Sequence, residues 1–211
     1  MKILVVSATE KEIFSAQKVL KPENKRTRTD FLVSGIGCTF TTYMLSRELH
    51  KNNYDFVIDA GIAGSFNPSL KIGEVVNVYS DQFADLGIED KNNYYTIFEK
   101  DFIDKNQFPF SDSKLINPNN IDLDIKKVSG ITVNTTHGNK TSIQLFKEKF
   151  NADIETMEGA AIFYVCLLEN IPFLQIRAIS NYVEERNTAN WNIPLAIKNL
   201  NNKLIEIIEK I

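Results

Sequence analysis

Strand-length apolar runs at residues 3–6, 31–34, 56–60, 74–79, 127–133, 152–156 and 173–179 alternate with segments whose apolar residues recur every three to four positions. The latter cover 9–20, 38–51, 140–150, 158–169 and 191–211. A period of two implies a pleated strand and a period near 3.6 an amphipathic helix, so the alternation of the two implies a sheet flanked by helices. The fold expected is α/β, a three-layer α/β/α arrangement around a central twisted mixed sheet. With 211 residues, 43% of them apolar, the chain suffices for one full core. No repeat or linker divides it, so residues 1–211 are read as a single domain.

The last helical segment is the clearest. Ile193, Ile197, Leu200, Leu204, Ile208 and Ile211 fall on one stripe, which we assign to the core. Phe14 and Phe40 are expected there too. Residues 91–124, rich in Asn, Asp and Lys with Pro109 and Pro118, read instead as a long surface excursion.

A formal net charge of −3 provides no basic field for nucleic acid. The one basic cluster, Lys21, Lys25, Arg26 and Arg28, is interrupted by Glu23 and followed by Asp30, and reads as a solvated loop. Cys38 and Cys166 lack the spacing of a disulfide framework or a zinc site and are expected as buried free thiols, with no metal implied. The opening MKILVVSA is too short in its apolar part for a secretory signal or a membrane span, so the expectation is a cytoplasmic enzyme or binding protein.

Glycine-bearing turns are expected after apolar runs at SGIG (34–37), AGIAGSF (60–66), THG (136–138) and EGAA (158–161). Clustered at strand ends, they suggest a crevice where backbone approaches a small molecule. None matches a dinucleotide or P-loop fingerprint. Polar groups stand at the same junctions: Glu12, Glu158, and Arg177 with Ser180 and Asn181. Taken alone, Glu158 needs no function, because an acid at a helix start complements the helix dipole or caps it. Glu12 alone reads as an exposed first-turn glutamate.

The ordered set MKILVVSATEKE, SGIG, AGIAGSF, TMEGAA and RAISN resembles the purine nucleoside phosphorylase and nucleosidase family, which includes methylthioadenosine nucleosidase. Within it, AGIAGSF, TVNTTHG and ISNYVEERN followed by Trp191 are most similar to the futalosine hydrolases. The resemblance implies a cofactor-free enzyme acting on a small-molecule nucleoside, with no nucleic-acid or membrane partner, and a homo-oligomer, homodimer or larger. It leaves a methylthioadenosine/S-adenosylhomocysteine nucleosidase as the nearest rival, a phosphorylase as the next, and a nucleoside-binding module without turnover as the reading of another class.

Cleaving an N-glycosidic bond builds positive charge on the sugar and negative charge on the base, and a site must answer both. By resemblance, the catalytic residues are Glu12, which readies the attacking water, Glu158, which accepts from the ribose hydroxyls, and Asn181, which recognises the base. An amide at 181, where adenine-specific relatives carry aspartate, can donate to the O6 or N7 of a 6-oxopurine. The resemblance further puts Ile36, Ala63, Gly64 and Thr136 at the substrate. It also puts there His137, Met157, Arg177 and Trp191, although Arg177 and His137 equally suit structural roles and Trp191 could simply start the last helix. SATEKEIFSAQ carries no phosphate-binding arginine, and Ile62 stands where methylthioadenosine nucleosidases have a serine near the water.

Overall fold

A computed structural model describes residues 1–20, 27–91, 93–119, 121 and 123–211. The elements run β1 (Lys2–Ser7), α1 (Glu10–Leu20), β2 (Arg28–Val33), α2 (Cys38–Lys51), β3 (Phe56–Ser65), β4 (Val75–Asp81), β5 (Gly87–Asp90) and β6 (Asn93–Thr96). They continue with β7 (Leu115–Ile116), β8 (Lys127–Thr132), α3 (Lys140–Phe150), β9 (Ile154–Thr156), α4 (Gly159–Leu168), β10 (Phe173–Tyr182) and α5 (Ile193–Lys210).

The main sheet is mixed and follows the order β10-β4-β8-β9-β3-β1-β2, with β7 added beside β4. β3 also pairs with β10, so the sheet curls back on itself, which alternation of periods does not reveal. The length of β3 makes this possible. Along one edge its first residues pair with β1 and its last, Gly64 and Ser65, pair with β9, while β10 takes the other edge.

The α/β/α layering follows from the period-two pattern of β1. Leu4 and Val6 join a core with Leu45 and Leu49 of α2 and Ile162 and Phe163 of α4. Ile3 and Val5 face the other way, against Ile13 and Ala16 of α1 and Leu200 and Leu204 of α5. Each such large aliphatic side chain contributes about 1.5–3 kcal/mol on full burial. Among the described residues, no helix is long and apolar enough to cross a membrane.

Several expectations change. AGIAGSF is not a turn: residues 60–65 continue β3, and β10 runs on to Tyr182. Phe14 and Phe40 lie outside the core, 46% and 64% exposed, with Lys18 laid over the Phe14 ring. The stripe on the last helix is core only from Leu200 to Ile208: Ile193 and Ile197 line a cavity, and Ile211, just past α5, is exposed. Cys166 is buried and Cys38 half-buried, both as free thiols. The excursion at 91–124 is anchored, because Phe98 and Leu115 are buried, β7 pairs with β4, and Phe110 packs between Phe98 and Tyr164. Lys21, Glu23, Lys25 and Arg26 of the basic cluster lie outside the described residues; Arg28 begins β2 and pairs with Asp30.

Candidate active site

A cavity of about 410 Å³ opens where β3, β9 and β10 end. Its wall brings together Glu12, Glu158 and Asn181. Ile36, Ala63, Gly64, Thr136, His137, Met157 and Trp191 also reach it. Arg177, expected at the substrate, does not.

Glu12 is held from several sides. Its Oε2 accepts from Ser7 Oγ (3.1 Å), Thr9 N (2.9 Å) and Thr9 Oγ1 (2.8 Å), and its Oε1 accepts from Ile62 N (3.1 Å). Reaching back to the Thr9 N–H is what a capping-box glutamate does. The side chain therefore both starts α1 and faces the cavity, and at 7% exposure it is buried rather than solvated. Ile62, lacking the serine hydroxyl, still engages Glu12 through its backbone.

Glu158 stands at the N-cap of α4 but makes no capping bond. Hydroxyls serve that terminus instead: Thr156 Oγ1 accepts from Gly159 N (3.2 Å) and Thr132 Oγ1 from Ala160 N (2.7 Å). Glu158 is left to turn toward the cavity, where Oε1 accepts from Gly37 N at 2.8 Å. Gly37 opens α2 with φ +95°, a left-handed conformation suited to glycine, which aims that N–H across the gap. Burial pushes the Glu158 carboxyl up to about 7; the Arg177 charge and the Gly37 N–H work against the rise, while Asp59 and Glu12 add to it. Gly159 has no room for a side chain, since a Cβ would overlap the Asp81 carboxylate and the Gln175 amide, so α4 sits tight on the sheet.

Arg177 is 2% exposed and ion-pairs with the equally buried Asp59. A Cβ on Gly61 would lie 3.1 Å from Arg177 Nη1 and 3.2 Å from Glu12 Oε1, so this glycine is there to let both groups crowd the strand. Arg177 thus lies behind the cavity wall, acting on the site through its charge. Burial lowers its pKa, but Asp59, then Glu158 and Glu12, raise it on balance, keeping it cationic. Arg177→Met would leave Asp59 buried without its partner. We expect a loss of about 3–5 kcal/mol of stability, measured as a lower midpoint in urea unfolding.

In β10, Asn181 Oδ1 accepts from Ser180 Oγ (2.7 Å) and Nδ2 donates to Tyr182 O (2.9 Å). One N–H of the amide therefore has no acceptor among the described residues. Opposite it in register is Gly64, where a Cβ would meet Val183 at 2.9 Å and Asn181 Nδ2 at 3.3 Å.

A family model described as the phosphorylase superfamily matches residues 31–209. The chain belongs to that superfamily. Its curated relatives in the phosphorylase superfamily include a futalosine hydrolase of Streptomyces coelicolor, 26% identical over 85% of this chain and 80% of the relative. A 5′-methylthioadenosine/S-adenosylhomocysteine nucleosidase of Buchnera aphidicola is 28% identical over 100% of this chain and 97% of its own length. A structure of a Helicobacter pylori futalosine hydrolase mutant superposes with a TM-score of 0.82 at 16% identity, covering 100% of both chains; a likeness at that identity speaks for the fold alone.

Superfamily motifs do not reveal every group at the cavity. Glu155, 4% exposed, reaches it from β9 and binds His137. The available signal was an acid inside the strand-length apolar run at 152–156. Arg186 and Lys11 also line the cavity, Arg186 lying over the Trp191 ring at 5.2 Å. Asn201 is buried on α5; its amide accepts from Ala16 N and donates to the Glu12 carbonyl, both at 2.7 Å, pinning α1 beside Glu12. No group of His, Cys, Asp and Glu among the described residues is placed to hold a metal ion.

Proposed function

We propose that this chain, an N-glycosyl hydrolase of the phosphorylase superfamily, cleaves futalosine to release hypoxanthine, a step of menaquinone biosynthesis. The observation that carries the reading is that Glu12 and Glu158 open into one shared cavity, with Met157 beside Glu158 and Asn181 on the same wall. In this reading Glu12 takes a proton from water as its oxygen attacks C1′. Glu158 accepts from the ribose 2′- and 3′-hydroxyls and stabilises the cationic sugar, against which Met157 packs. The C1′–N9 electron pair leaves with the base, whose O6 or N7 receives the spare N–H of Asn181. Hydrolysis is preferred to phosphorolysis because Arg177 is committed to Asp59 and Glu12, at the place of the attacking water in this reading, would repel phosphate there.

Incubation with futalosine, inosine and methylthioadenosine, with and without phosphate, tests the proposal by chromatography of free base. Hypoxanthine from futalosine alone, unaffected by phosphate, is expected. Adenine release would transfer the assignment to the methylthioadenosine/S-adenosylhomocysteine nucleosidases, which the Buchnera relative favours, and a phosphate requirement would transfer it to the phosphorylases.

Asn181→Asp places a carboxylate, an acceptor, against the O6 acceptor. Since a hydrogen-bonding site rejects the wrong pattern strongly, the ratio of futalosine to methylthioadenosine turnover is expected to fall by roughly 10²-fold or more. An unchanged ratio in competition assays would remove Asn181 from base recognition.

A further inference from the structure

Nothing in the reaction above supplies the proton that the departing base must take up, because the amide of Asn181 has none to give. The cavity holds a group that can. His137 donates its backbone N–H to Glu155 Oε1 (3.0 Å), and its ring Nδ1 is bonded to Glu155 Oε2. The ring also packs on Phe146, with centroids 4.1 Å apart. A carboxylate at Nδ1 fixes the orientation of the ring and leaves Nε2 as its other functional nitrogen. Among the described residues Nε2 has no hydrogen-bond partner, and His137 and Glu155 both line the cavity.

Register places this pair near the base-recognising end. Gly64 of β3 lies opposite Glu155 of β9 on one side and Asn181 of β10 on the other. Adjacent strands lie about 4.8 Å apart, so Glu155 and Asn181 stand about 10 Å apart on either side of Gly64, with Val183 packed over the glycine. Gly138 O accepts from Arg186 N (3.2 Å), which ties the His137 loop to the segment bearing Trp191.

We propose that His137, oriented by Glu155, is the general acid that protonates the departing purine. The inference rests on the nucleosidase reading. As C1′–N9 breaks, its electron pair passes to the base and the Nε2 proton moves to a ring nitrogen of the purine. The water oxygen bonds to C1′ and its proton goes to Glu12; solvent then returns a proton from Glu12 to the imidazole, closing the cycle. The competing role for His137 is structural, as the donor that satisfies buried Glu155.

The experiment compares kcat/KM of wild type and His137→Gln on futalosine and on its N7-methyl derivative, whose cationic base departs without taking a proton. On futalosine the variant is expected to lose about 10²–10⁴-fold, the usual contribution of general acid catalysis, while turnover of the methylated substrate changes little. Equal losses on both overturn the proposal, since a binding or structural defect does not depend on the leaving group. If His137→Gln does not fold by thermal melting, Glu155→Gln, which keeps an acceptor for Nδ1, carries the same contrast: a smaller loss confined to futalosine supports the proposal and an equal loss on both overturns it. Wild type that releases base from neither substrate defeats the nucleosidase reading itself, and the inference with it.

Discussion

Glu12→Gln is expected to lower kcat for base release by about 10²–10⁴-fold while leaving ligand affinity near that of wild type. The amide cannot take the proton of the attacking water. Its single carbonyl oxygen can still accept from Ser7 and Thr9, while the bond from the Ile62 N–H is given up, and glutamine also serves in a capping box, so α1 should start where it does now. The loss therefore belongs to chemistry rather than to folding. Single-turnover release of hypoxanthine, alongside calorimetric titration of hypoxanthine, separates the two. A rate within a few-fold of wild type would remove Glu12 as the base, and wild type that binds nucleoside without any release would indicate a binding module.

Glu158→Gln is expected to lose roughly 10²–10³-fold in kcat/KM, the scale of removing one electrostatic stabiliser of a transition state. It should also make the protein more stable at neutral pH. The carboxyl is raised from 4.5 to about 7 by burial, so its ionisation is harder in the folded chain than in the unfolded one. The stabilisation associated with the protonated form is complete below about 4.5 and is lost as pH rises through about 7. Glutamine resembles the protonated carboxyl and can keep the bond from Gly37 N. The variant should accordingly match wild type at acid pH and exceed it above neutrality by an amount on the order of 1–3 kcal/mol. Urea midpoints at pH 4 and pH 8 measure this; equal differences at both would show that the Glu158 charge is not held at a cost. The same titration predicts that wild-type kcat/KM falls as pH drops below about 7, since only the ionised carboxylate can offset a cationic sugar.

Strands and helices were legible because their periods are local. β1, α1, α2, α3 and α4 lie within a residue or two of the segments that spacing alone defines. Glycine misled where it stands inside strands. Gly61 and Gly64 suggested a turn, yet they lie in β3 because Arg177, Glu12, Val183 and Asn181 occupy the space their side chains would need. Aromatic residues misled in the opposite direction, since hydrophobicity does not say which face of α1 or α2 meets the core, and Phe14 and Phe40 lie on the outer one.

At the cavity, short motifs named the residues but not their relations. TMEGAA identified Glu158 and left open whether it caps α4; only Thr132 and Thr156, brought in by neighbouring strands, relieve it of that task. Arg177 read as a substrate contact until Asp59, distant in sequence, was seen to occupy it. Glu155 and Asn201 were passed over because each acts on a partner far along the chain, His137 in one case and α1 in the other.

The sequence by itself determined the alternating elements, their approximate bounds and the family, because periodicity and short ordered motifs depend on neighbours along the chain. Tertiary structure alone decided that the sheet closes through β3 and β10, that Glu12 and Glu158 share one space, and that Arg177 stands behind it. These depend on desolvation and hydrogen-bond partners contributed by residues remote in sequence, which no local pattern encodes.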